Sequence, residues 1–127
     1  MILKSNLLPF GNSKESGDKK VTNENCTVGS VEATLSVIGG KWKPIILYYL
    51  APKTRRFGEI AVRIPRISRK VLTEQLRELE RDKLVDRKYY KEIPPRVEYS
   101  LTELGRSLTP VFKEMAKWGD EHILSKL

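Results

Sequence analysis

The chain has one cysteine and one histidine among its 127 residues. A lone Cys26 closes no intrachain disulfide and builds no cysteine-based metal cluster, so the reducing cytoplasm is the expected compartment. His122 stands without a cysteine or carboxylate at ligand spacing, and no metal site is expected. No apolar run approaches the roughly 18 residues that cross a bilayer. The opening residues MILKSNLLPFG hold short apolar patches and no small-residue cleavage pattern, so no signal peptide is read there. The sequence offers no nucleophile–base arrangement and no phosphate-cradling glycine loop, which argues against an enzyme and against a cofactor.

Positive charge is plentiful and uneven. The formal net charge is +8. Residues 1–40 carry four basic and four acidic side chains, and residues 101–127 again carry four of each. Residues 41–100 hold sixteen Lys or Arg against eight Asp or Glu, so the whole surplus lies there. A basic segment between neutral flanks is the footprint of a polyanion site, with a well-solvated surface as the plainer reading.

Residues 11–25, GNSKESGDKKVTNEN, are polar and lack aromatics, so residues 1–25 are expected to form a flexible arm ahead of one domain over 26–127. Val31, Leu35 and Ile38 have helical spacing, closed by Gly39-Gly40. Trp42 to Leu50 reads as a second helix with Pro44 in its first turn, and Phe57, Ile60 and Ile64 mark a short third. Ser68 is a good N-cap for a fourth helix with Leu72, Leu76 and Leu79 along one side. Leu84 to Lys91 and Arg96 to Leu101 read as a hairpin around Pro94-Pro95. Thr102 can cap a final helical region over about 102–127, with either a kink at Pro110 or a second start capped by Thr109.

The third and fourth helices, joined by a short connection, have helix-turn-helix proportions, and the hairpin supplies a wing. The expected fold is therefore α+β, a winged helix-turn-helix with a two-stranded wing. Opposite the leucines, the fourth helix presents Lys70, Thr73, Glu74, Arg77 and Arg81, with Arg69 at its start. A solvated face with i, i+4 pairing of Arg77 and Arg81 with Glu74 and Glu78 is the plainer reading. Arg69 and Lys70 suit guanine O6 and N7, and Thr73 suits a thymine methyl or a phosphate. The Ser68 and Arg69 amides at the helix N-terminus suit a phosphate oxygen. Two cations at the end where the helix dipole disfavours them point to a purpose other than helix stability. Lys91 and Arg96 flank the proline tip and are the expected wing contacts to the DNA backbone. Tyr89, Tyr90 and Tyr99 read as hairpin packing rather than a base-stacking platform. Leu108, Val111, Phe112, Met115, Trp118 and Ile123 are more apolar surface than a small winged-helix core absorbs, and are expected to form a dimer interface.

Three segments carry a specific resemblance: Ile38 to Lys43 (IGGKWK), Ile67 to Thr73 (ISRKVLT) and Pro94 to Gly105 (PPRVEYSLTELG). In this order and spacing the chain resembles the HxlR-type winged-helix regulators, which are similar to the MarR-type family. The resemblance implies a homodimer formed through the first and last helices. It also implies recognition by Ser68 to Arg77, a wing from Lys91 to Arg96, and a near-palindromic double-stranded operator. It further implies an effector that is small, redox-active or thiol-reactive, such as an aldehyde, with Cys26 as the sensor candidate. Arg66 stands where the family usually has glycine. The runner-up function is a winged-helix protein–protein interaction module with a basic face.

Overall fold

The structure is a computed structural model that describes residues 28–127. The expected arm over 1–25 and Cys26 lie outside the described residues. The chain divides into two compact units between Lys41 and Trp42.

In the first unit, α1 (Val28–Ile38) begins three residues before the Val31 start read from apolar spacing. Gly39 donates its amide to Leu35 O at 2.8 Å, and Gly40 takes φ +89°. That left-handed residue ends the helix as the sequence predicts.

The second unit holds α2 (Trp42–Leu50), β1 (Arg55–Arg56), α3 (Phe57–Arg63), α4 (Arg69–Arg81), β2 (Val85–Tyr90), β3 (Arg96–Leu101), α5 (Glu103–Arg106) and α6 (Thr109–His122). A short 3-10 turn, Leu124–Lys126, follows. The two-stranded wing, β2 with β3, forms as expected, and the unexpected β1 adds a third antiparallel strand, in the order β1-β3-β2. Arg55 pairs with Tyr99 and Arg56 with Glu98, satisfying the edge of β3 that a hairpin alone would leave open. Two residues are too few to show any alternation, so β1 carried no sequence signal. Among the described residues no helix is long and apolar enough to cross a membrane.

Core packing fixes the orientation of α4. Leu72, Leu76 and Leu79 are at most 1% exposed, as are Ile46 and Leu47 of α2 and Ile60 of α3. Each such side chain contributes about 1.5–3 kcal/mol of burial, so rotating α4 about its axis would cost several times any surface ion pair. The charged face of α4 is thereby held outward.

The end of α4 is equally determined. Lys83 sits at φ 64°, Lys83 N donates to Glu80 O (3.0 Å) and Leu84 N to Leu79 O (2.9 Å). This is a Schellman closure with lysine in the left-handed position where glycine is usual. The Lys83 carbonyl accepts from Thr102 Oγ1 at 2.7 Å, and Leu84 O accepts from Thr102 N at 3.1 Å. The same Thr102 hydroxyl caps α5 by accepting from Gly105 N at 2.9 Å. Gly105 lies so close to the Leu84 carbonyl that a Cβ would collide with it. The LTELG segment therefore joins the end of α4 to the start of the C-terminal helices.

Pro110 marks a second helix start rather than a kink. The cap position falls on Leu108, not Thr109, and no side chain caps it. The backbone at Ser107 and Leu108 stays close to helical, so the break is only these two residues and Thr109 is already inside α6.

Candidate nucleic-acid interface

The connection between α3 and α4 is pinned by buried Ile64 and Ile67, with Ile67 N donating to Ile64 O at 3.2 Å. Among the described non-glycine residues only Lys83 has positive φ, so this turn closes at Arg66 without the left-handed residue a glycine would supply. Arg66 is exposed and adds a cation beside α4.

Ser68 caps α4, its hydroxyl accepting from Val71 N at 3.1 Å. No acidic residue occupies the first turn of α4, so the positive end of the helix dipole stays open for an anion. Arg69 places its guanidinium 5.2 Å from the centre of the Phe57 ring on α3, which orients it without neutralising it. Lys70 is 83% exposed and 3.9 Å from Glu74, a pairing too exposed to hold it. Thr73 donates its hydroxyl proton to Arg69 O at 2.9 Å, which leaves its methyl group and an acceptor lone pair for any outside contact. Arg77 is exposed and has no ion-pair partner among the described residues. Arg69, Lys70 and Arg77 are exposed along α4, Thr73 is half-buried, and exposed Ser68 stands at the N-cap.

Sequence reasoning missed what holds this helix in place. Lys43 of α2, 8% exposed, pairs with Glu78 of α4. The Lys43 hydrogen bond keeps the Glu78 carboxyl below the usual range. Arg81 pairs with its neighbour Asp82 (3.2 Å), which raises the Arg81 pKa. An i, i+4 pattern of Arg77 and Arg81 with Glu74 and Glu78 is therefore not what forms. Nothing in the sequence marks Lys43 as buried; the pairing follows from its burial, since lysine is rarely buried without a partner.

The wing separates its two expected contacts. Lys91 is exposed. Arg96 is clamped: Nη2 lies 2.8 Å from Glu92, Nη1 lies 2.8 Å from Glu98, and the guanidinium sits 3.7 Å from the centre of the Tyr90 ring. The Glu92 hydrogen bond holds the Arg96 pKa above its ordinary value. Its charge is matched by two carboxylates, so Arg96 organises the wing more than it offers free charge. Lys88 approaches the same Tyr90 ring at 5.3 Å. Of the three tyrosines only Tyr99 is buried. Tyr90 serves as the platform for Arg96, and Tyr89 is exposed. The packing expectation holds for Tyr99 alone, because the pairs nearer the tip extend beyond the core.

Along α6, Val111, Met115 and Trp118 are exposed, as are Ile123 and Leu124 beyond it. Leu108 is half-buried, and Phe112 is buried within the unit at 8% exposure. Phe112 is thus a core residue of this chain, not a free interface residue. Trp118 stacks on His122, ring centres 4.9 Å apart, and His122 Nδ1 is 3.1 Å from Trp118 O.

The comparisons with known proteins agree with this geometry. A family model described as HxlR-like helix-turn-helix matches residues 37–126. The HTH-type transcriptional regulator YdeP of Bacillus subtilis (strain 168) is 53% identical over 92 residues, covering 72% of each chain. The structure of the redox regulator HypR in its oxidized form is 49% identical with a TM-score of 0.70, covering 73% of this chain and 96% of that one. The reduced form of the transcriptional regulator YodB from B. subtilis is 39% identical with a TM-score of 0.68, covering 77% and 96%. YodB has also been solved after diamide treatment. These relatives are transcriptional regulators and not enzymes. With its winged-helix architecture, its exposed cationic helix and a family match across residues 37–126, the chain belongs to the HxlR-like helix-turn-helix family of transcriptional regulators.

Proposed function

We propose that the protein binds a near-palindromic double-stranded operator as a homodimer, with α4 in the major groove and the wing on the flanking backbone. The observation that carries this reading is the face of α4. Its leucines are locked inward, while Arg69, Lys70 and Arg77 stand outward beside an open helix N-terminus. Two such helices on a dyad would meet half-sites about 34–36 Å apart, one helical turn or a multiple. The exposed apolar residues of α6 supply a dimer surface, and in the other unit α1 carries exposed Val28, Val31 and Leu35 of its own.

The wing gives a test that separates free charge from organised charge. Lys91→Ala should lower the salt dependence of duplex binding, with the log–log slope falling by about 0.9 per wing. Arg96→Ala should weaken binding to all sequences alike, because it uncovers Glu92 and Glu98 next to phosphates. Replacing Glu92 with Gln in that background should recover part of the loss. An unchanged slope for Lys91→Ala would show that the wing does not touch the backbone.

Cys26 carries the second part of the proposal, a response to a thiol-reactive signal in the cytoplasm. It is the single thiol of the chain, and two similar regulators, HypR and YodB, were solved in oxidized or diamide-treated forms. One thiol per chain allows an intersubunit disulfide or a mixed disulfide with a small thiol. Operator affinity of wild type and Cys26→Ser, before and after diamide or an aldehyde, decides the matter. Only wild type should respond, and an equal response of both proteins would make the thiol structural.

A further inference from the structure

The wing ends in an apolar point. Ile93, between β2 and β3, is 99% exposed, the highest value for a large apolar side chain among the described residues. Pro94 and Pro95 follow it. A single exposed apolar side chain is ordinary on a protein surface. This one is set apart by how it is held and by the charge around it.

The residues on both sides of Ile93 are anchored. Glu92 donates its amide to Tyr90 O at 2.9 Å, and its carboxylate accepts from Arg96 Nη2 at 2.8 Å. Arg96 reaches Glu98 with Nη1 at 2.8 Å and lies 3.7 Å from the centre of the Tyr90 ring. The two prolines in between fix φ at about −65°. Ile93 is therefore presented by a short, stiff loop, and little backbone freedom remains to be lost when it is buried against another molecule. Residues 87–98 carry four cations, Arg87, Lys88, Lys91 and Arg96, against Glu92 and Glu98. Both carboxylates are engaged by Arg96, and the tip is net positive.

An apolar apex within a cationic rim matches a surface that is anionic at its edges and apolar within. The minor groove of duplex DNA has this character: phosphates line its edges and stacked base pairs form its floor. We infer that Ile93 is an apolar wedge that enters the minor groove beside each half-site and parts a base step there. The inference rests on the operator reading above and adds to it a contact with bases, where the cations of the wing meet only phosphates. The paired strand spans about 17 Å from Val85 to Tyr90 at ~3.3 Å per residue, so the apex stands clear of the core. The groove is about 6 Å wide, which excludes the paired body of the hairpin and admits its apex. Isoleucine and proline are among the side chains that unstack a step from this side and bend the duplex toward the major groove. Pyrimidine–purine steps part easily and A-tracts are stiff, so Ile93 sets a base preference at a position that no hydrogen bond reads.

The test uses the full chain and a duplex that the wild-type protein selects from a random pool, made with 2-aminopurine at each flanking step in turn. Unstacking should raise the 2-aminopurine fluorescence at one step per half-site with wild type and with Ile93→Leu, and not with Ile93→Ala. Ile93→Ala should lower affinity roughly tenfold, the scale of two buried methylene groups, while Ile93→Leu stays within about twofold of wild type. Replacing a flanking pyrimidine–purine step by an A-tract should weaken wild type and leave Ile93→Ala unaffected. The salt dependence should be the same for all three proteins, since Ile93 carries no charge. At 99% exposure Ile93 makes no core contact, so these changes do not arise from a damaged fold. Equal affinity of wild type and Ile93→Ala, or a fluorescence rise that is absent from wild type or survives in Ile93→Ala, would overturn the wedge. The operator reading would then stand, with Ile93 left to a protein partner. A wild-type protein that selects no duplex would overturn both.

Discussion

Met115→Glu is expected to separate the dimer and to lower operator affinity by about 10²–10⁴-fold, the range lost when two linked binding events become one. Met115 is 51% exposed in the isolated chain, between exposed Val111 and Trp118 on one side of α6. A carboxylate there disturbs no core contact of the monomer, yet facing a second copy it is buried without a partner. Sedimentation should therefore show a folded monomer at micromolar concentration with an unchanged helix signal. Phe112→Glu is the contrasting control: at 8% exposure its side chain belongs to the core, and the variant should lose the fold itself. A Met115→Glu protein that remains a dimer would remove α6 from the interface.

Arg69→Ala and Lys70→Ala should each cost about 1–3 kcal/mol on the preferred duplex and relax base preference at one position per half-site. The two differ in preparation. Arg69 is held over the Phe57 ring, whereas Lys70 is 83% exposed with only a 3.9 Å pairing to Glu74. Arg69 should then carry the sharper base preference, since a guanidinium fixed in place loses less freedom on binding. Phe57→Leu should reproduce part of the Arg69→Ala effect while leaving Lys70 untouched. Site selection that shows changed base preference for Arg96→Ala and none for Arg69→Ala would reverse the roles of helix and wing.

Much of this arrangement was legible in the residues. Helix 69–81 was readable because Ser68 caps it and three leucines repeat at helical spacing, both local signals. The hairpin followed from alternation about Pro94-Pro95, and the break before α6 followed from Pro110. Other features depend on contacts between distant residues. The two-residue β1 has no period to detect, and it exists because β3 presents an unsatisfied edge. The clamp on Arg96 requires the wing tip to bring Glu92 back to β3, which sequence spacing alone does not specify. Phe112 was grouped with exposed neighbours because a wide apolar stripe on a helix does not show which half meets its own core. Lys43 and Arg55 look like surface cations in the sequence, and only packing reveals that both are buried.

The central claim is that two copies read one symmetric duplex through α4. Selection of bound duplexes from a random pool by the wild-type protein at physiological salt tests it most directly. The account predicts an enriched inverted repeat, with half-sites about one helical turn or a multiple apart and affinity falling steeply as salt rises. A consensus without dyad symmetry, or no enrichment over random duplex, would contradict it and favour a basic surface that docks an acidic protein.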